Sequence, residues 1–220
     1  MPRTEDPVPT GDRPYQEYVW PIVSVEPFAA ASPPRAASFI DVFERRRSTR
    51  ELAPASLESM VGMLLFALTP RFWKEQDKLK RSRRPSLSGG ALHPISVLLF
   101  CDRDAYRINA ETCSLEMLEV SAQTRDTWRS KCKSLLPRAE GAFLALVADL
   151  ARPKSAYNYC ESVVWRDAGA LLQTLALSAE LFGFGFCPLG ILGNEIVSTL
   201  PANEQLLAVG AATLGLPAGR

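Results

Sequence analysis

The residues with the most chemistry to offer are arginines. Arg45, Arg46, Arg47 and Arg50 surround Ser48 and Thr49 within six positions. Guanidinium forks and hydroxyls at that density can hold a phosphate through charge-assisted hydrogen bonds. The plainer alternative is a solvated basic helix end. A second candidate is the run Pro85-Ser86-Leu87-Ser88-Gly89-Gly90-Ala91-Leu92-His93-Pro94. There Gly89-Gly90 lets the backbone turn sharply or approach a ligand closely, and Ser86 and Ser88 supply hydroxyls. A third is Pro188-Leu189-Gly190, which follows a short apolar run and can present bare backbone amides to a flat ligand. His93 is the sole histidine. It reads as a structural hydrogen-bonder, and a histidine metal site or a Ser-His-Asp triad is not expected.

These groups need elements to position them. Trp165 to Ile191 is the organising stretch. From Ala168 to Phe182 it is apolar apart from Gln173, Thr174, Ser178 and Glu180, as in a helix buried in a core or a subunit interface. Gly183 suits the left-handed residue that ends a helix. Phe184 to Cys187 reads as a short buried strand that Pro188 breaks. Upstream, Ser38 is placed to cap a helix reaching Arg46, with Asp41 in its first turn. Ser56 caps a second helix, which Pro70 ends. Arg71 to Arg84 reads as a charged, mobile, solvated loop. Ile95–Phe100 and Ala142–Val147 read as buried strands, Ala105–Asn109 and Leu115–Val120 as a hairpin, and Thr124–Leu135 as an amphipathic helix. Ala151 to Glu161 reads as a polar loop. Asn194 caps a short helix, and Gln205–Leu214 is the last strand. Helices come first and strands then mix with helices, without regular alternation, which favours α+β.

Composition narrows the function classes. A length of 220 residues allows one domain with a sizeable core. Residues 1–37 are proline-rich and read as an arm, and Tyr15, Tyr18, Trp20 and Phe28 argue for its docking. Residues 38–220 are then the domain proper. The net charge is +1, so nothing biases the chain toward nucleic acid or membrane. No apolar run is long and uniform enough to span a bilayer, and the polar N-terminus is unlike a signal peptide. Five widely spaced cysteines without a CxxC suit reduced thiols in a cytoplasm. Neither GxGxxG after a strand nor a Walker loop is present.

Three segments in register resemble the FMN-dependent nitroreductase superfamily, specifically its SagB-type dehydrogenase branch. They are Arg46-Arg47-Ser48-Thr49-Arg50, the Pro85–Pro94 run, and Asp167-Ala168-Gly169 leading to Cys187-Pro188-Leu189-Gly190. The resemblance covers about residues 38 to 216. It implies an α+β sandwich with a central mixed sheet flanked by helices, and an intertwined homodimer with two FMN molecules at its interface. Carried over by motif, Arg46, Arg47, Ser48 and Arg50 would hold the FMN phosphate and the polar edge of the ring. Pro188, Leu189, Gly190 and Ile191 would lie along the isoalloxazine. Ser86, Ser88, Gly89 and Gly90 would come from the partner chain, and Arg220 would close the phosphate site. The expected activity is two-electron transfer between a donor, possibly NAD(P)H, and a small-molecule or peptide substrate. The branch's azoline-oxidising enzymes carry an adjacent Lys-Tyr pair. Here the nearest counterparts are Lys154 and Tyr157, separated by two residues, and His93 replaces the branch's tyrosine. Two alternatives therefore stand beside the general oxidoreductase: a SagB-like peptide azoline dehydrogenase, and a non-catalytic flavin-binding or scaffold protein.

Overall fold

A computed structural model describes residues 5–34 and 37–219. In chain order, the arm contributes β1 (Val8–Pro9) and β2 (Ile22–Pro27). Then come α1 (Phe39–Arg45), β3 (Leu52–Ala53) and α2 (Leu57–Leu68). A hairpin of β4 (Phe72–Trp73) and β5 (Ser82–Arg83) follows. β6 (Ile95–Cys101), β7 (Asp104–Asn109) and β8 (Ser114–Leu118) form a meander leading to α3 (Ala122–Leu135). Next are β9 (Ala142–Asp149), α4 (Ala151–Ala156) and β10 (Tyr157–Asn158). The chain closes with α5 (Glu161–Phe182), β11 (Gly185–Leu189), α6 (Asn194–Val197) and β12 (Leu206–Pro217).

The central sheet runs β11-β12-β9-β6-β7-β8-β2, with β3 also paired to β12. The named strands pair antiparallel, and parallel contacts are confined to isolated bridges, Ser48 with Phe186 and Leu52 with Ala139. The alternation of side chains along a strand splits the core in two. Val97, Leu99, Leu144 and Leu146 face α2 and α5, whereas Leu98, Phe100, Phe143 and Ala145 face α3 and α6. β6 and β9 are therefore apolar on both faces, as central strands must be when helices cover both sides.

The capping residues act as expected. Ser38 accepts from Asp41 N and Ser56 from Ser59 N. Gly183 adopts φ 78° at the end of α5, and its N–H reaches the carbonyls of Ala179 and Glu180. α5 starts earlier than the apolar run suggested, because Glu161 to Asp167 extend it with only one side buried.

Four expectations are corrected. The arm does more than dock: β2 pairs with β8 as an edge strand, and Tyr18 and Trp20 are buried. Residues 151–161 are not a loop, since α4 is followed by β10, which pairs with β1 of the arm. Residues 71–84 form an ion-paired hairpin rather than a free loop. Asp77 accepts from Leu79 N and Arg81 N at 2.9 and 3.3 Å, and from Arg81 Nη1 at 2.8 Å, while Arg81 also grips Asp12. Burial alone would raise the Asp77 pKa, but hydrogen bonds from Arg81 and Lys74 hold it well below the carboxylate range. Finally, Gly193 rather than Asn194 is the N-cap of α6.

Candidate functional site

Arg46 to Arg50 leave the C-terminus of α1 and lie along the edge strand β11. Thr49 N donates to Phe186 O at 2.9 Å, and Ser48 bridges to the same residue. Gly185 permits the approach, because a Cβ there would collide with the Leu52 side chain and come within 3.0 Å of Thr49. Arg45, one residue earlier, is tied to Glu180 of α5 at 3.4 Å. The side chains of Arg46, Arg47 and Arg50, by contrast, have no carboxylate partner among the described residues. Arg47 and Arg50 are exposed. Three arginines without a carboxylate partner thus flank the short segment that bridges to the edge strand β11.

The strand does not end at Cys187. Pro188 and Leu189 continue the ladder opposite Ala212 and Ala211. Proline is tolerated because β11 is an edge strand, where a missing N–H costs no ladder bond. The backbone-exposing turn is Gly190 to Leu192, and the N–H groups of Gly190 and Ile191 find no carbonyl partner among the described residues. The Cys187 thiol lies next to Arg50 and Ser48; burial raises its pKa while Arg50 opposes the shift. One chain therefore brings together Arg46, Arg47, Ser48 and Arg50 with Pro188, Leu189, Gly190 and Ile191. Arg220 lies outside the described residues.

The Ser86–Gly90 loop is built elsewhere, on the N-terminal half of α5. Asp167 holds it: Ser88 Oγ donates to Oδ2 at 2.6 Å and Gly89 N donates to Oδ1 at 2.8 Å. Ser88 Oγ also accepts from His93 N at 2.9 Å, so this hydroxyl is engaged within the loop. A Cβ on Gly89 would overlap Val163. Gly90 needs its φ of +66°, and a Cβ there would lie 2.7 Å from the Tyr157 hydroxyl. Ser86 is buried. Burial raises the Asp167 pKa, against the lowering pull of Ser88 and Gly89. His93 Nε2 lies 2.9 Å from Ser82 O, a structural role as expected. The carbonyl can only accept, so Nε2 carries the proton. Burial, then the nearby Arg84, push the His93 pKa down to about 4, leaving a neutral ring.

Lys154 and Tyr157 lie on α4 and its C-cap. Tyr157 packs against Gly90, and Lys154, three residues before it, is exposed. They therefore accompany the serine-glycine loop, not the arginine segment. Arg45 is anchored at Glu180 and Ser88 at Asp167; thirteen residues of α5 between them span about 20 Å. The start of β6 is three strand spacings from β11, about 14 Å. The two segments therefore stand apart within one chain.

The motif reading includes Asp167 in its third segment but assigns it no role, and the structure makes it the anchor of this loop. The available signal is an acidic residue among Val163, Val164, Ala168 and Leu171 on an apolar helix face, where a carboxylate must have partners.

No family model matches the sequence, and the curated proteins contain no significant match. Solved structures do match. One is a protein assigned as a nitroreductase from Ralstonia eutropha JMP134, at 18% identity and TM-score 0.66, covering 98% of this chain and 100% of that one. Another is the E. coli microcin synthetase McbBCD complex with truncated pro-MccB17 bound, at 17% identity and TM-score 0.57, covering 84% and 74%. A third is a protein assigned as a nitroreductase from Desulfovibrio desulfuricans in complex with FMN, at 18% identity and TM-score 0.51, covering 84% and 88%. The fold is thus that of the nitroreductases, a large antiparallel sheet flanked by helices in an α+β arrangement. Among the described residues no helix is long and apolar enough to cross a membrane.

Proposed function

We propose that the chain is an FMN-dependent oxidoreductase of the nitroreductase type that works as a homodimer. The observation that carries this reading is the set of uncompensated guanidiniums of Arg46, Arg47 and Arg50 beside the open edge of β11. Arg81 and Arg152 elsewhere in the chain hold carboxylates, whereas these three hold none and are available to an anion. With Ser48, and with Arg220 from the C-terminus, they would bind the FMN phosphate and the polar edge of the ring. Bound flavin supplies hydride transfer at N5. Gly190 and Ile191 would offer N–H donors there, fixed in place by the ladder of β11, which favours negative charge on the ring. Residues 38–220 are the flavin-binding domain in this reading, and residues 1–37 the arm laced across it.

The same geometry supports a homodimer. Ser86, Ser88, Gly89 and Gly90 stand apart from the arginines of their own chain, and a second copy would bring them to the flavin. Phe39, Ile40 and Phe43 of α1 are exposed together, as is Trp165 of α5, which supplies apolar surface for such an interface. NAD(P)H is the proposed donor. The test is the visible spectrum of the purified protein: a yellow dimer that NADH or NADPH bleaches and air reoxidises supports the reading. A colourless protein that takes up no added FMN overturns it.

A second reading, a peptide azoline dehydrogenase, is favoured by Tyr157 lying against Gly90 with Lys154 three residues before it, and by the fold likeness to a peptide-bound synthetase. It requires Lys154→Ala and Tyr157→Phe to abolish peptide oxidation without loss of FMN. A flavin that binds but never turns over would leave the scaffold alternative.

A further inference from the structure

The hairpin of β4 and β5 carries charge that the site described above does not use. Residues 71–84 hold seven basic and two acidic side chains in a chain whose net charge is +1, so the remainder of the molecule is net negative. Part of the surplus is matched. Lys74 and Arg81 hold Asp77, Arg81 also holds Asp12, and Lys80 and Arg84 reach Glu17 and Glu111. Lys78 and Arg83 are exposed and have no carboxylate partner among the described residues, and Arg71 donates to the Phe66 carbonyl instead.

Apolar surface lies beside these charges. Phe72 of β4 is 59% exposed, and Leu87 of the serine-glycine loop is 81% exposed. With Ala91 they line an open groove of about 380 Å³ between the hairpin and that loop. Lys74, Arg81 and Arg83 also line it, and no carboxylate does. Covering Phe72 or Leu87 with a partner gains about 1.5–3 kcal/mol for a full side chain. An aromatic anchor flanked by arginine is the arrangement that recognition surfaces favour.

Charge and shape select the partner. The cations run from Arg71 out to Lys78 and back to Arg83, so a matching anion carries several charges along its length. Single-stranded nucleic acid has such charges but needs open aromatic faces for its bases. Here Arg84 lies over the Trp73 ring at 5.9 Å. The groove beside it is walled by Leu87 and Ala91, which suit an aliphatic or aromatic side chain.

We propose that this groove docks an acidic polypeptide segment, with acidic side chains on Lys78 and Arg83 and an apolar side chain between Phe72 and Leu87. The docking does not depend on the flavin reading. Ser86 and Ser88 also line the groove, so a docked segment lies against the loop that the flavin reading brings to the partner's ring.

The test is fluorescence anisotropy of a short labelled peptide in which glutamates alternate with leucine and phenylalanine, titrated with the full chain. One control peptide replaces every glutamate by glutamine, and another replaces every leucine and phenylalanine by serine. A single-stranded oligodeoxynucleotide of similar length is the third control. The parent peptide should bind with a Kd below about 100 μM, and each control at least about tenfold more weakly. Arg83→Glu and Phe72→Ala, both at exposed positions, should each weaken the parent peptide at least about fivefold. Arg103→Glu, in the turn after the far end of β6, should leave it within about twofold. No saturable binding of the parent peptide, equal binding of any control, or full binding by both groove variants overturns the proposal. So does a change of oligomeric state in Arg83→Glu, which would assign the groove to a contact between copies of this chain.

Discussion

Two arginine-rich regions of this molecule are built on opposite plans. At the end of α1, Arg46, Arg47 and Arg50 stand without carboxylate partners along a strand edge. Under the arm, Arg81 and Arg152 are committed to carboxylates: Arg81 to Asp12 and Asp77, Arg152 to Glu17 and Glu111. A count of basic residues does not separate the two, since Arg71 to Arg84 carries seven against four in Arg45 to Arg50. Pairing does. A guanidinium that already holds two carboxylates is part of the scaffold, and one that holds none is available to a ligand.

The contrast can be tested from both sides. The largest effect should come from the double variant Arg46→Ala, Arg50→Ala. Losing two charged hydrogen bonds should cost about 3–6 kcal/mol of FMN binding, more than a hundredfold, with little change in stability. Fluorescence titration of the apoprotein measures it. Arg152→Ala should do the reverse, lowering stability by about 3–5 kcal/mol in urea unfolding because the acids it holds lose their partner. If its stability is unchanged while FMN is lost, the division between ligand and scaffold arginines fails.

Asp167→Ala sits between the two cases. It leaves Ser88 Oγ and Gly89 N without an acceptor, which should cost about 1–3 kcal/mol. If the loop serves the partner's flavin, FMN should also dissociate faster, and Asp167→Asn should restore part of the retention.

His93 gives a smaller effect that depends on pH. Its folded pKa of about 4 lies below its ordinary 6.5. The unfolded chain therefore takes up a proton that the folded chain refuses. Stability from this group is complete above pH 6.5 and falls as the pH drops toward 4. His93→Gln should flatten that slope in urea midpoints recorded across the window. Smallest of all, Lys74→Ala on the rim of the hairpin should change stability by no more than about 1 kcal/mol, because its ion pair with Asp77 is half solvated.

Much of this was legible beforehand wherever local chemistry is decisive. Ser38, Ser56 and Gly183 mark helix ends through their own backbone bonds. β6 and β9 declare themselves by unbroken apolar runs. What stayed hidden depends on distant partners. β2 is exposed along its length, so no alternation betrays it, and only β8 makes it a strand. β10 exists because the arm pairs with it. Pro188 looked like a strand breaker because whether a strand lies at an edge cannot be read locally. The ion pairs that order residues 71–84 reach Asp12 and Glu17, far back in the chain. Of the candidate site, Ser48 and Thr49 lie against Phe186, two residues before Pro188, whereas the role of Asp167 emerges only from its contacts.

The arm carries a consequence for synthesis. Val8 pairs with Asn158 and Ile22 with Leu118, so a segment made before its partners closes onto them only later. At about 5–20 residues per second, Val8 waits roughly 8–30 s for its partner strand. During that interval Tyr18 and Trp20, which the finished fold buries, remain uncovered. The arm is thus made early but sealed late.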